Sequence, residues 1–313
     1  MKKSYRLPIV FIGVVIITLL ILSLYSPSKR HETDQKLKVA TTIFPLTDIA
    51  KNIGGDKVEV INLVPPGASP HTFEVTAEQA RKLQGTRTIF SIGHGLDDWI
   101  INTTSALPRT NMLCISSNIS LRDFKEHHSH DQEIDPKGSN NHEHEEVDPH
   151  YWLSIRNAKI ISTNISEELQ RLDPDNSDYY KINSQNYIKK LESLDSQIQT
   201  LLSNISNNEI MTMHNAWSYF AADYGLEIAA TFEPFPGQEP TPKYLVELSK
   251  KAQEHNLKTF FSEPQLSNQI LIPFLKDMGM SLSVLDPIGG LEKRDTYINL
   301  MMYNAEVIYE QLK

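Results

Sequence analysis

Short apolar runs alternate with helix-like segments in both halves of the chain. The first half contains four such runs, LKVATTIF, VEVINLV, TIFSIG and NMLCISS, each bounded by turn residues. The second half contains four more, EIMTMH, LEIAATFE, LKTFFSE and SLSVLDP. Helices are predicted among them at Thr76–Leu83, Leu96–Ser105, Ala216–Tyr224, Pro242–His255, Ser267–Met278 and Asp295–Leu312. Alternation of strands and helices indicates parallel sheets covered by helices, so we expect an α/β protein with two (βα)4-like lobes.

One long helix is predicted between the two lobes. It opens with Asp173-Pro174, a good N-cap followed by a proline that the first helical turn tolerates. No glycine or proline interrupts the segment before about Ser206. Its apolar residues recur at steps of four and three and form one stripe: Tyr187, Leu191, Leu194, Ile198, Leu201 and Ile205. We interpret the segment as a helix that joins the lobes of a monomer, with a coiled-coil dimer as the alternative.

The N-terminus carries an export signal or a membrane anchor. Lys2, Lys3 and Arg6 precede an uncharged apolar run from Leu7 to Tyr25. The run is just long enough to span a bilayer, which favours an uncleaved anchor over a cleaved signal. It contains no cysteine that could carry a lipid. Either alternative places the remainder of the chain outside the cytoplasm, at the cell surface or in a periplasm.

These features divide the chain into five parts. In order they are a signal or anchor at 1–28, a linker at 29–36, an N-terminal lobe at 37–172, a linking helix at 173–206 and a C-terminal lobe at 207–313. The N-terminal lobe includes an acidic, histidine-rich loop at 126–148.

The amino-acid composition limits which ligands the chain can bind and which residue types can hold a metal ion. The chain has 313 residues and a formal net charge of −9, with no basic stripe and no zinc-finger spacing, so nucleic-acid binding is not expected. Cys114 is the only cysteine and lies in an apolar run, where a buried, inert thiol is expected. A metal site in this chain would therefore use histidine and carboxylate ligands.

Four metal-competent residues lie where ligands bind in α/β lobes, just past the carboxyl ends of predicted strands or in nearby loops. His71 lies in a Pro/Gly-rich loop, and His150 lies just after the histidine-rich loop. His214 lies where a strand passes into a helix, and Asp286 follows the last predicted strand. Each alone is more typical of a surface or turn residue, and their spacing matches no compact metal motif. Because two come from each half, we hypothesise a site between the lobes.

Several motifs resemble those of one known family. They are GASPHTFE, DPHYWLS, MHNAWSYFAADYGL, FEPFPGQEPTPKYLVELSKKA, FSEPQ and LDPIGG. From about residue 37 to the C-terminus the chain resembles the zinc/manganese-type substrate-binding proteins of ABC importers, the cluster A-I or ZnuA-like family. The resemblance implies two lobes joined by a rigid long helix, with one metal ion held between them. It also implies a binding protein without enzymatic activity, whose partners are a membrane permease and its ATPase.

Carried over motif by motif, the resemblance implies the ligands His71, His150, His214 and Asp286. Manganese-selective members of the family typically have a glutamate where this chain has His214. Three imidazoles and one carboxylate favour Zn²⁺, whereas Mn²⁺ prefers a larger share of oxygen ligands. We therefore expect Zn²⁺ as the transported ion, ahead of Mn²⁺.

The five histidines inside the histidine-rich loop are assigned a secondary role in metal binding. They are His127, His128, His130, His142 and His144, and we expect them to bind zinc weakly beside the main site. A surface loop with incidental metal affinity is the alternative. His94 follows a strand but has no role in the family, so a structural or supporting role is expected. Glu263, also at a strand end, could orient a ligand histidine.

Two other functions compete with a zinc receptor. If Asp286 acted as a base, the three histidines would resemble a catalytic zinc site with an open fourth position. However, the chain has neither an HExxH motif nor a G-x-S-x-G motif, which weakens the case for a zinc-dependent hydrolase. A metal-buffering or adhesive surface protein is the third alternative.

Overall fold

Two parallel sheets organise the part of the chain that the computed structural model describes, which is residues 36–123, 147–233, 240–267, 269 and 271–313. The predicted signal or anchor at 1–28 lies outside these residues. So do the five histidines of the secondary metal loop, His127, His128, His130, His142 and His144. Within the described ranges, every helix is too short or too polar to cross a membrane.

Each sheet has four parallel strands. The first contains β1 (Leu37–Thr41), β2 (Val58–Asn62), β3 (Thr88–Ser91) and β4 (Asn111–Cys114), in the spatial order β2-β1-β3-β4. The second contains β5 (Glu209–Thr212), β6 (Glu227–Thr231), β7 (Thr259–Ser262) and β8 (Ser281–Val284), in the order β6-β5-β7-β8. Each of the eight predicted runs contains one strand, so the predicted α/β fold with two parallel sheets is confirmed.

Helices connect and cover the strands. Those of the first half are α1 (Phe44–Gly54), α2 (Ala77–Lys82), α3 (Ile101–Ser105) and α4 (Ile155–Leu172). The long helix is α5 (Ser177–Leu202), and those of the second half are α6 (Ser218–Tyr224), α7 (Pro242–Glu254), α8 (Leu271–Met278) and α9 (Tyr297–Leu312). The six helices predicted beside the strands are all present, with shifted ends.

Two helices, α1 and α4, are not predicted from the sequence pattern. In α1, Pro45 occupies the first turn after Ile43, which is in an extended conformation, so the apolar run ending in Phe44 turns from strand to helix. In α4, the Ser154 hydroxyl accepts a hydrogen bond from the Asn157 N–H and caps the helix. Both helices bury apolar residues at helical spacing against the shared core.

The long helix α5 touches helices of both lobes. It has 26 residues and is therefore about 39 Å long. It begins at Ser177 because a separate 3-10 turn occupies Pro174–Asn176. Its buried stripe contacts α1 and α4 on one side and α6 and α9 on the other. The predicted central helix is thus confirmed, with ends a few residues inside the predicted ones.

One hydrophobic core continues from the first lobe into the second. It contains the fully buried Trp152 and Tyr297. The Trp152 indole N–H donates to the Pro287 carbonyl oxygen at 2.7 Å, and the Tyr297 hydroxyl donates to the Trp152 carbonyl oxygen at 2.6 Å. The Tyr297 backbone N–H also donates to the Asp48 carboxylate at 3.0 Å. These contacts fix the two sheets relative to each other, with the strand ends of both lobes facing one cavity.

Candidate metal centre

His71 reaches the cavity from the loop after β2. The loop turns at Gly67, whose φ of 81° lies in the left-handed region that glycine tolerates best. His71 itself lies in the short 3-10 turn Pro70–Thr72. The Trp99 indole N–H donates to the Pro70 carbonyl oxygen at 2.9 Å, and the Trp99 ring packs against Phe73. This anchor holds the turn against the first lobe while leaving the imidazole partly exposed.

His150 enters the cavity from the end of the histidine-rich segment. The ends of that segment are joined by a bridge between Asp123 and Val147 and by a hydrogen bond from the Asp148 N–H to the Arg122 carbonyl oxygen. The Tyr219 hydroxyl accepts from the Arg122 N–H and donates to the Asp148 carbonyl oxygen. These contacts hold the backbone just before His150 against the Tyr219 side chain of α6. The His150 side chain is fully buried.

His214 follows β5 and meets the end of the neighbouring strand. Because Thr212 of β5 is in register with Phe261 of β7, the residues two positions further on lie side by side. Those residues are His214 and Glu263, and His214 Nδ1 lies 2.8 Å from Glu263 Oε1. Both side chains are buried. The strand register thus places an imidazole and a carboxylate in contact just past the carboxyl ends of β5 and β7.

The three histidines converge through the same ring atom. His150 Nε2 lies 3.2 Å from His71 Nε2 and 3.3 Å from His214 Nε2. One ligand atom from each ring lies within 4.8 Å of the other two, which makes this the metal-competent group among the described residues. Two nitrogens bound to one tetrahedral Zn²⁺ at about 2.0 Å would be about 3.3 Å apart. The two separations that involve His150 match that spacing.

The cavity keeps at least one ring uncharged. Burial, followed by the charges of His150 and His214 when protonated, lowers the pKa of His71 to about 2. A neutral imidazole has a free lone pair and can bind a metal at physiological pH. Burial also lowers the pKa of His214, but the adjacent Glu263 outweighs it, so the pKa of His214 is raised overall.

Asp286 lies outside this group of ligand atoms. Its Oδ1 accepts hydrogen bonds from Gln265 Nε2 at 2.8 Å and from the Ile288 and Gly289 N–H groups at 3.0 Å. Its Oδ2 lies 3.3 Å from an Arg294 guanidinium nitrogen. Gln265 lines the cavity in front of it, whereas Asp286 is absent from the described lining residues. The structure brings together three of the four predicted ligands, and the role of Asp286 stays a prediction.

Two further residues of the site were not singled out from the sequence. Asp148 lies two positions before His150, and its carboxylate contacts the His150 ring. Gln265 stands between the cavity and Asp286. The motif DPH contains the signal for the first, since an Asp so near a ligand histidine can reach its Nδ1. Nothing in the sequence pattern distinguishes Gln265 from an ordinary loop residue.

His94 and Cys114 belong to a neighbouring contact and not to the metal-competent group. His94 Nε2 lies 3.0 Å from the Ser116 hydroxyl, and the Cys114 thiol donates to the Ile92 carbonyl oxygen at 3.0 Å. His94 adopts a φ of 55° in the turn after β3. These contacts are local to the end of the first sheet.

Similarity to known proteins covers nearly the whole described chain. The model of the family "Zinc-uptake complex component A periplasmic" (ZnuA) matches residues 39–311. The chain is 28% identical over 293 residues to the zinc-binding protein AdcA of Streptococcus pyogenes, covering 90% of this chain and 57% of AdcA. The chain thus corresponds to little more than half the length of that relative.

Two other related proteins are matched over most of their own length. The high-affinity zinc uptake system protein ZnuA of Bacillus subtilis is 28% identical over 282 residues, which is 88% of each chain. A crystal structure of ZnuA has a TM-score of 0.78 at 28% identity and covers 89% of this chain and 100% of its own. The family match extends from β1 to α9 and includes all three converging histidines. This chain therefore belongs to the ZnuA family of zinc-uptake complex components.

Proposed function

We propose that this protein is an extracytoplasmic receptor that captures Zn²⁺ between its two lobes and delivers it to the permease of an ABC importer. One observation carries the proposal: three imidazole Nε2 atoms converge in a buried cavity at separations that suit a single tetrahedral zinc ion. The names of its relatives, a zinc-binding protein and a zinc uptake protein, support the same ion. The family match also favours a transport component over the hydrolase.

The proposed ligands are His71, His150 and His214, with Asp286 as the fourth. Imidazole nitrogens are ligands of intermediate softness, which suit Zn²⁺ better than Mn²⁺. For Asp286 to bind the ion, its carboxylate would have to leave Gln265 or share an oxygen with it. X-ray absorption spectra of the zinc-loaded protein would distinguish a carboxylate from water in the fourth position.

A transport role requires the protein to bind and release the zinc ion, but it requires no covalent bond to form or break. In the proposed cycle the ion is taken up outside the cytoplasm and passed to a membrane permease driven by an ATPase subunit. Residues 37–172 and 207–313 form the two lobes of this receptor, and the helix between them joins the lobes. The N-terminal segment at 1–28 holds the protein at the membrane, and the five histidines from His127 to His144 gather zinc weakly nearby.

Zinc titrations of the full protein and of a loop-replacement variant test this function. Calorimetry on the full chain and on a variant in which residues 127–146 are replaced by a short Gly-Ser linker should show one tight zinc site in both. The tight site should survive because its three converging ligands all lie outside the deleted segment. Weaker additional binding should be lost with the segment.

A parallel titration with Mn²⁺ serves as the control for ion preference, and it should give clearly weaker binding. If the tight zinc site disappears together with residues 127–146, the site lies in the histidine-rich loop and the assignment to the lobe interface is wrong. If neither chain binds zinc tightly, the receptor function itself is contradicted.

A further inference from the structure

Each of two converging histidines has a buried carboxylate behind its ring. His150 Nδ1 lies 2.8 Å from Asp148 Oδ1, and His214 Nδ1 lies 2.8 Å from Glu263 Oε1. The exposed fractions of Asp148 and Glu263 are only 1% and 2%, so water does not compete for these contacts. The two pairs come from different lobes, and in each a carboxylate oxygen lies 2.8 Å from Nδ1 while Nε2 faces the cavity. The contact between His150 and Asp148 has hydrogen-bond geometry, whereas the contact between His214 and Glu263 is a close ion-pair contact.

This geometry selects one tautomer of each ring. A carboxylate accepts hydrogen bonds, so a neutral ring beside it carries its proton on Nδ1. The Nε2 atoms of His150 and His214 then carry lone pairs that face each other across 3.3 Å. Two lone pairs at that distance repel unless a cation lies between them. The carboxylates thus prepare the site for a positive ion before the ion arrives.

The same carboxylates supply charge that the imidazoles lack. Neutral rings leave the charge of Zn²⁺ unreduced, and the carboxylate of Asp286, the proposed fourth ligand, already faces the Arg294 guanidinium. Positive charge therefore remains in a buried cavity, and burial of unbalanced charge is unfavourable. Asp148 and Glu263 together contribute two negative charges directly behind two of the rings. Carboxylates in this position are known to raise the basicity of metal-binding histidines.

Three consecutive residues at the start of α6 hold both carboxylates. The Trp217 indole N–H donates to Glu263 Oε1 at 3.4 Å, and the Ser218 hydroxyl donates to Asp148 Oδ2. The Tyr219 hydroxyl donates to the Asp148 carbonyl oxygen at 2.9 Å. One short segment of the second lobe therefore sets the orientation of both acids, including the one that belongs to the first lobe.

We propose that Asp148 and Glu263 are positioning residues of the zinc site, which fix the Nδ1–H tautomers of His150 and His214 and balance the charge of the bound ion. This inference rests on the proposed zinc-receptor function. Part of the affinity for zinc then depends on two residues that do not contact the metal.

The test uses charge-neutral and apolar replacements in the full chain. Glu263→Gln and Asp148→Asn should each weaken zinc binding about 10- to 100-fold. Both should also change the visible absorption bands of the Co²⁺-loaded protein, because those bands report the geometry around the metal. In the metal-free protein, Glu263→Leu should abolish the Nδ1–H preference of His214 in long-range ¹⁵N–¹H correlation spectra. Glu168→Gln is the matched control, since Glu168 is a buried acid paired with Arg171 on α4.

The outcomes separate this inference from the receptor function. Zinc affinity and Co²⁺ bands equal to wild type in Glu263→Gln and Asp148→Asn would overturn the positioning role while leaving the receptor intact. An equal loss in Glu168→Gln would also overturn it, because the effect would then be one of general stability. If the wild-type chain binds no zinc, the receptor function fails, and the tautomers of the metal-free protein still decide the role of the carboxylates.

Discussion

Replacing His150 with alanine should lower the affinity for zinc roughly 100- to 1,000-fold. Structural zinc sites bind with about 10–16 kcal/mol shared among four ligands, so one ligand corresponds to about 2.5–4 kcal/mol. His150 is the central ring, since its Nε2 lies within 3.3 Å of the Nε2 atoms of both His71 and His214. Competition for zinc with a chromophoric chelator measures the change.

The matched control is His255→Ala. His255 also pairs through Nδ1 with a glutamate, Glu209 at 2.7 Å, but this pair lies at the amino end of β5, opposite the end that carries His214. Its removal should leave zinc affinity unchanged. A His150→Ala variant that binds zinc as tightly as wild type would rule out the three-histidine centre.

Replacing Trp152 with alanine should lower the free energy of unfolding of the metal-free protein by about 3–5 kcal/mol. The indole is fully buried, and its N–H donates to the Pro287 carbonyl oxygen of the second lobe. Truncation leaves a cavity at the junction of the lobes and an unpaired carbonyl oxygen. Urea denaturation followed by far-ultraviolet circular dichroism measures the loss.

Trp99→Ala provides the comparison for stability. Trp99 also donates its indole N–H to a proline carbonyl, that of Pro70, but it is only half-buried. Its truncation should lower the free energy of unfolding by roughly 1–2 kcal/mol, because less apolar surface is lost. Equal losses in the two variants would contradict the larger contribution assigned to Trp152 from its complete burial and its contact with the second lobe.

The strands and the central helix could be predicted because their signals are local. Each β-strand lies within a short apolar run bounded by turn residues, and α5 has an unbroken apolar stripe. The prediction failed at α1, which begins at Phe44, only three residues after the last residue of β1, Thr41. Only the proline in the first turn of α1 marks the change from strand to helix, and proline also ends strands without starting helices.

The site could be predicted only in part because its assembly depends on strand neighbours. His71, His150 and His214 were chosen as residues near strand ends, and the fold brings them together. The contact between His214 and Glu263 requires that β5 pairs with β7, which follows it by two strands in the sequence. The surroundings of Asp286 depend on Gln265 and Arg294, whose side-chain positions no sequence pattern specifies.

The bridge between Asp123 and Val147 has a consequence for how this family can diversify. The two ends of the intervening segment are held side by side by that bridge and by Tyr219. Since the free energy of closing a loop rises only slowly with its length, residues can be gained or lost between fixed ends at little expense in stability. Natural variation can therefore change the number of histidines between these two ends while His150 keeps its position beside the cavity. A reporter domain can be inserted at the same place for the same reason.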